Sequence, residues 1–253
     1  MNFIKRNIPN AITCGNLLCG CLAIVKAFEG NLVWAAYLVG IAAVLDFFDG
    51  FAERLLKVSS PIGKDLDSLA DMVTFGVVPG IVMFKMILLS LNLDKEGFDW
   101  LDSNKWIIYV TFIIPVFSAI RLAKFNNDTR QSDSFIGLPT PANAIFILSI
   151  PLIVNWGTNF SYSEYNSNFK EFVNPYLLIA ESTMLSFLLV AELPLFSLKF
   201  KHFKWKGNEI RFVFLLAAIV LLVLLKFVGI PLTIILYILL SVVSNIINKK
   251  KVA

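Results

Sequence analysis

The chain has 253 residues, of which 57% are hydrophobic and only 16% charged, with 23 phenylalanines and a formal net charge of +4. That apolar share lies well beyond an ordinary soluble domain and points to an integral membrane protein. The alternating ten-residue pattern of a membrane β-barrel is missing and the apolar runs are unbroken, so the fold class is read as all-α. The positive charge is scattered over short connections with no continuous basic face, which suits a lipid surface and argues against nucleic acid as a partner.

Apolar runs of about 17–25 residues match a helix crossing a ~30 Å hydrocarbon core. They predict eight spans, near Ala11–Phe28, Leu32–Lys57, Lys64–Leu91, Trp106–Phe125, Ala142–Trp156, Pro175–Leu198, Ile210–Phe227 and Pro231–Ile247. The fifth is short, which leaves seven crossings plus a re-entrant piece as the alternative. The first run carries Asn10, Thr13 and Asn16 and keeps the length of a span, so it reads as a retained helix and not as a cleaved signal peptide. Its three cysteines, Cys14, Cys19 and Cys21, read as small apolar packing residues rather than a disulfide or zinc site.

Basic residues gather in alternate connections: Lys5 and Arg6, Lys57, Lys124 and Arg130, Lys199 to Lys206, and Lys249 to Lys251. The opposite connections carry Glu29, then Asp94, Glu96, Asp99 and Asp102, then Glu164 and Glu171, with Lys95, Lys105 and Lys170 as exceptions. By the positive-inside rule both termini are expected in the cytoplasm. The run Lys199–Lys206, with Phe200, Phe203 and Trp205 between its bases, fits an interfacial loop of that side. Residues 1–200 read as a membrane core, and residues 201–253 as a basic loop followed by two additional helices.

Against this background the stretch DFFDGFAERLLKVSSPIGKDLDSLAD, residues 46–71, stands out. A charge taken into a bilayer is costly unless it is paired, so carboxylates at membrane depth signal function. At 100° per residue Asp46 and Asp49 stand about 60° apart on the second helix, and Asp67 and Asp71, four residues apart, share a face of the third. Ser59-Ser60-Pro61 is expected to break the helix between them, making the two segments antiparallel neighbours whose acidic pairs converge below the cytoplasmic surface. Oxygen-only ligation, with no nearby His or paired Cys, favours two hard divalent ions, Mg²⁺ or Mn²⁺. Two such ions about 3.5–4 Å apart are the usual clamp for displacement at phosphorus. Gly50 and Gly63 let a ligand approach the backbone, and Arg54 can fork onto a phosphate.

The spacing Asp46-x-x-Asp49-Gly50-x-x-x-Arg54, then Gly63, Asp67 and Asp71, resembles the signature of the CDP-alcohol phosphotransferases, with Glu53 where the family pattern has alanine. The resemblance implies a six-helix membrane core, usually dimeric, and transfer of a phosphatidyl or related group from a CDP-linked donor to an alcohol with release of CMP. It implies metal ligation by Asp46, Asp49, Asp67 and Asp71, and CDP binding by Asp46, Asp49, Gly50, Arg54, Gly63 and Asp67. Asp71 either ligates a metal or acts as the catalytic group that takes the proton from the acceptor hydroxyl.

Further stretches are similar to the phosphatidylserine synthase branch: Ile8–Thr13 with Asn16, Leu66–Asp71 running into Thr74–Pro79, Arg121–Asn126, and Gly137–Pro141. The last three helices match mainly in hydropathy and in Glu192-Leu193-Pro194. The branch implies CDP-diacylglycerol and L-serine as substrates at the cytoplasmic membrane. A serine carboxylate wants a cation, which Arg121 is placed to supply, with Lys124 and Asn126 as neighbours. Acceptors such as glycerol 3-phosphate, as in a phosphatidylglycerophosphate synthase, would want a denser basic pocket. No Ser–His or Cys–His pair suggests a covalent step, and the lone His202 lies in the basic loop. The non-enzymatic alternative is a divalent-cation transporter, whose carboxylates would line a path and release no CMP.

Overall fold

The computed structural model describes residues 3–58, 61–91, 93, 103–128, 134–158, 173–197, 205 and 207–252. The fold is helical almost throughout: α1 (Phe3–Phe28), α2 (Leu32–Leu56), α3 (Pro61–Asp71), α4 (Val78–Ser90), α5 (Ile113–Asn127), α6 (Thr140–Thr158), α7 (Pro175–Val190), α8 (Glu209–Leu225) and α9 (Gly229–Val252). Among the described residues six helical stretches are long and apolar enough to cross a membrane: Asn7–Phe28, Leu32–Leu56, Ile62–Ser90, Trp106–Asn127, Thr140–Gly157 and Glu209–Ile247. The α7 helix is apolar but shorter, at 16 residues. Within Glu209–Ile247 the backbone breaks at a 3₁₀ turn, Lys226–Val228. Phe214 then meets Tyr237 with ring centroids 5.5 Å apart, so α8 and α9 fold back on each other as a hairpin.

The third stretch is the centre of the bundle. Its residues Phe75, Val78, Val82, Met83, Met86 and Ile87 are fully buried. Lipid tails are as apolar as leucine, so helices in a bilayer associate through close packing at small residues rather than through the hydrophobic effect. Three glycines show this directly. A Cβ on Gly20 of α1 would lie 3.1 Å from the Thr74 Cα, one on Gly76 3.1 Å from the Ser118 Cβ, and one on Gly80 2.8 Å from the Pro115 ring. α1 and α5 therefore lie almost backbone to backbone against the central helix. Between α3 and α4, residues Met72–Val77 form a π-helical turn directly after Asp71, a deviation that often accompanies functional sites.

Several boundaries differ from the sequence expectation. α2 is closed by Lys57 in the left-handed conformation, φ 51° and ψ 44°. The Lys57 N–H donates to the Arg54 carbonyl at 3.4 Å and the Val58 N–H to that of Glu53 at 3.1 Å, a Schellman pair. The helix thus stops before Ser59-Ser60-Pro61; Ser59 and Ser60 lie outside the described residues. Pro61 opens α3 at its first position, where its missing N–H is no loss, three residues earlier than the expected Lys64. The fourth span enters as a 3₁₀ segment, Ser103–Phe112, before α5. The expected helix Pro175–Leu198 ends at Val190, where Ala191 turns extended with ψ 141°, and Leu193 before Pro194 is itself held out of the helical region.

Beyond α7 the chain turns extended. β2 (Pro194–Phe196) pairs antiparallel with β1 (Ser134–Ile136), a short ladder that the all-α reading did not contain. Its outer carbonyls are satisfied by the C-terminal hairpin: Arg211 Nε donates to Ser197 at 2.7 Å, Tyr237 Oη to Phe196 at 2.7 Å, and Asn245 Nδ2 to Pro194 at 2.7 Å. The ladder therefore ties α8 and α9 to the linkers that leave α5 and α7. The cysteines are free, but Cys14 and Cys21 face outward from α1 rather than into the packing as expected. The acidic segment 94–102, most of the linker 159–172, Arg130 and the basic run 199–204 lie outside the described residues.

Candidate active site

α1 packs against both α2 and α3, which scarcely touch each other, and the carboxylates of α2 and α3 converge beside it rather than between directly packed neighbours as expected. Asp46, Asp49 and Asp67 each offer an oxygen within 4.8 Å of the others. Asp71, one turn beyond Asp67, lies outside that trio, and Asp46 and Asp67 are among the charges that act on it. Asp49 and Asp71 are only 5% and 9% exposed, so solvent does not screen them. Among the described residues no Lys or Arg forms an ion pair with any of the four. An uncompensated group of buried carboxylates is unstable as anions and must bind cations or protons. The all-oxygen donor set, without sulfur or imidazole, fits a hard divalent metal.

α1 supplies the supporting hydrogen bonds. Thr13 Oγ1 donates to Asp49 Oδ2 at 2.6 Å, and Asn16 Nδ2 donates to Asp71 Oδ1 at 3.3 Å. Three residues apart, the two side chains share one face of the helix. Thr74, from the π turn, donates back to the Asn16 carbonyl at 3.3 Å, locking α1 to the segment that carries Asp71. In the sequence Thr13 and Asn16 stand out only as polar residues of the first span, with no role attached. The available signal was two such residues at helical spacing on an otherwise apolar helix.

The remaining motif residues take different positions. Gly50 is open: a Cβ there would meet only the Arg54 guanidinium, at 3.8 Å. Arg54 is exposed at the end of α2, and Gly63 is buried in the first turn of α3. Glu53 is half-buried, and its charge acts on both Asp49 and Asp67, as its place on the Asp46–Asp49 face predicts.

Arg121, Lys124 and Asn126 lie in different surroundings. Arg121 is buried, with its guanidinium 4.8 Å from the Phe125 ring centroid and its Nε without a hydrogen-bond partner among the described residues. Lys124 is exposed. Asn126 is engaged with the motif helix instead: its Nδ2 donates to Ser68 Oγ at 2.8 Å and its carbonyl accepts from Lys64 Nζ at 3.2 Å. Two residues missed in the sequence share Arg121's condition. Ser118 Oγ, one turn before it, and both amide atoms of Asn143, in the first turn of α6, are buried without partners among the described residues. Buried polar atoms are nearly always satisfied, so each of the three is open to a further polar partner.

Comparison with known proteins agrees with this geometry. Residues 6–243 match the family model described as CDP-alcohol phosphatidyltransferase. The chain is 32% identical over 202 residues to a CDP-diacylglycerol–serine O-phosphatidyltransferase of Bacillus subtilis, covering 80% of this chain and 94% of that one. It is 35% identical over 149 residues to the protein of the same name from Helicobacter pylori, covering 58% of each. An archaetidylserine synthase of Methanothermobacter thermautotrophicus is 30% identical over 165 residues, 64% of this chain and 62% of that protein. With its acidic motif, its membrane helices and a family match running over nearly its whole length, the chain belongs to the CDP-alcohol phosphatidyltransferase family.

Proposed function

We propose that this protein transfers the phosphatidyl group of CDP-diacylglycerol to L-serine, giving phosphatidylserine and CMP. The observation that carries the reading is the convergence of Asp46, Asp49 and Asp67 from two helices, without a basic partner among the described residues, at the spacing of the family motif. The names of the relatives, two of them serine phosphatidyltransferases, support serine as the acceptor.

In this reading Asp46, Asp49, Asp67 and Asp71 hold two divalent ions, Mg²⁺ or Mn²⁺. Such ions, when bound, neutralise the pyrophosphate and stabilise the leaving phosphate oxygen. Gly50 and Gly63 give the nucleotide access to the backbone, and Arg54 offers its guanidinium to a phosphate. The serine hydroxyl oxygen attacks the phosphorus that carries diacylglycerol, the bridging P–O bond breaks, and CMP departs with the bridging oxygen. Asp71, held by Asn16, is positioned either to complete the metal ligands or to accept the hydroxyl proton. Arg121 receives the serine carboxylate, aided by the unpartnered Ser118 and Asn143. Asn126 keeps α3 in place, and Lys124 serves the acceptor only from the exposed side.

The orientation rests on charge. Lys5, Lys57 and Lys124 lie at the same end of the bundle as the carboxylates, and the hairpin of α8 and α9 supports eight crossings with both termini in the cytoplasm. The site then opens towards the cytoplasmic face of the cell membrane. Residues 1–200 form the catalytic core and residues 201–253 the appended hairpin, the active unit being a homodimer as in the family.

The test is CMP release from CDP-diacylglycerol by the purified protein with serine, glycerol 3-phosphate, inositol 1-phosphate or no acceptor. Release with serine alone is expected. Release with glycerol 3-phosphate alone would reassign the acceptor, and divalent-ion flux without CMP would make the protein a transporter.

A further inference from the structure

The four carboxylates are not equivalent. Asp46, Asp49 and Asp67 each place an oxygen within 4.8 Å of the others, near the ~3–4 Å between oxygens that share one octahedral ion at ~2.1 Å. That trio suits a single divalent cation. Asp71 stands apart from it and is buried. Three carboxylates around one divalent ion leave one negative charge uncompensated, and Asp71 adds a second. Away from solvent such a remainder is costly, and one further divalent ion beside Asp71 balances it.

α1 serves the two parts separately. Thr13 Oγ1 donates at 2.6 Å to Asp49, a member of the trio, whereas Asn16 Nδ2 donates at 3.3 Å to Asp71 Oδ1. Asn16 is itself held in place: it is fully buried, its backbone carbonyl accepts from Thr74 Oγ1, and Gly20 one turn later brings α1 against the Thr74 backbone. The orientation of its amide is set too, because turning it over would face one acceptor with another. Its Oδ1 is then left buried with no partner among the described residues. Buried acceptors are nearly always satisfied, and a water bound to a divalent ion is a strong donor. The donor that holds the outlying carboxylate and a free acceptor beside it thus belong to one side chain.

We propose that Asn16 is the positioning residue of a second cation site: it aims Asp71 at a divalent ion distinct from the one in the trio, and its free Oδ1 accepts from a water of that ion. The inference rests on the cluster being a two-ion site and deepens that reading, without depending on serine as the acceptor. The two sites answer to different residues. The first is built by α2 and α3 with Thr13 in support, and the second needs α1 at Asn16.

The experiment counts Mn²⁺ on the purified full chain in detergent, without donor or serine, by the loss of the free-ion EPR signal. The frozen spectrum then shows whether neighbouring ions are spin-coupled. The parent is expected to take up two ions with a coupled spectrum. Asn16→Leu keeps the branched shape of the side chain without its polar atoms; it should hold the tighter ion at parent affinity, weaken the second about 10–100-fold and lose the coupling. Asp71→Asn should do the same, and the double variant should be no worse than either, as for two residues of one unit. Thr74→Val removes only the contact that seats Asn16. It should weaken the second ion by a smaller factor, and it carries the test where Asn16→Leu is unstable. Thr13→Val should instead weaken the tighter ion. Two ions at parent affinity in Asn16→Leu, equal weakening of both in a thermally stable variant, or a parent that takes up a single ion, each overturns the proposal. A second ion dependent on Asn16 without any CMP release would leave this inference standing and remove the proposed transfer to serine. CMP release with serine at an ion count insensitive to Asn16 would do the reverse.

Discussion

The two halves of α2 face opposite demands. From Asp46 onward the helix turns carboxylates inward, one of them 5% exposed, where Thr13 of α1 donates to Asp49 and Asp67 of α3 adds a like charge that only a cation or a proton offsets. From Trp34 to Phe47 the same helix lines a groove with small and aromatic residues. The acidic half is over-determined, since each carboxylate is costly unless its surroundings are right. The apolar half is under-determined, since leucine, alanine or phenylalanine sits equally well against lipid, a helix or a ligand. Chemistry is thus concentrated where substitution is least tolerated.

The largest effect tests whether the acidic half works as one unit. Asp67→Asn removes a charge from the trio while keeping its shape, and CMP release should fall by about a hundred- to a thousandfold or more. The loss should be equal for long-chain and short-chain donors, because the site acts on the phosphate, and the thermal stabilisation given by Mg²⁺ or Mn²⁺ should go with it. Retention of full metal stabilisation would separate Asp67 from the cation site. The next effect is smaller and of a different kind. Thr13→Val keeps the volume but takes the 2.6 Å hydrogen bond from Asp49. The half-saturating metal concentration should rise about 10–100-fold, as for other partners that orient a ligand, with kcat at saturating metal nearly unchanged. A fall in kcat that added metal does not rescue would place Thr13 at the substrate instead.

A third prediction contrasts two glycines. A side chain at Gly20 collides with Thr74 backbone and side chain, while one at Gly40 meets nothing within 4 Å. Gly20→Val should lower stability by about 1–3 kcal/mol in thermal or chemical unfolding in detergent. It should also lower activity, because the same contact holds Asn16 against Asp71. Gly40→Ala should be neutral or more stable by up to ~1 kcal/mol. Equal destabilisation at both positions would mean that the outer face of α2 is packed, and the contrast between the halves would vanish.

These differences explain what was legible in the sequence. Helix positions follow from apolar run length, and the carboxylate pairs could be placed on facing helices from spacing alone, because nothing but function explains four aspartates at that depth. The details that depend on backbone geometry were not legible. Lys57 ends α2 in a left-handed conformation that a lysine rarely adopts, so no composition signal announces it. The π turn after Asp71 and the β1–β2 ladder are likewise fixed by tertiary partners: Ser118 against Gly76, and the hairpin donors Arg211, Tyr237 and Asn245 on the strand carbonyls. Arg121 was found by resemblance, but Ser118 and Asn143 emerge only when their buried atoms lack partners. The groove was invisible because its lining is ordinary membrane sequence, and only the open space at Gly40 sets it apart.

The smallest expected effect concerns Glu53, the one position where the motif departs from its family. It stands one turn after Asp49, half-buried, and adds a further negative charge to the field at Asp49 and Asp67. A fifth carboxylate strengthens the pull on cations but opposes the phosphates of an incoming nucleotide, which carry the same sign. In Glu53→Ala the first contribution is lost and the second relieved. The half-saturating metal concentration should therefore rise a few-fold, while turnover at saturating metal holds or increases and KM for the CDP-linked donor falls. Alanine also suits a helix slightly better than glutamate, so stability should not suffer. Turnover below about a tenth of the parent rate at saturating metal, a barrier increase of more than ~1.4 kcal/mol, would show that Glu53 takes part in the reaction, and the acidic half of α2 would then hold five working carboxylates with α3 instead of four.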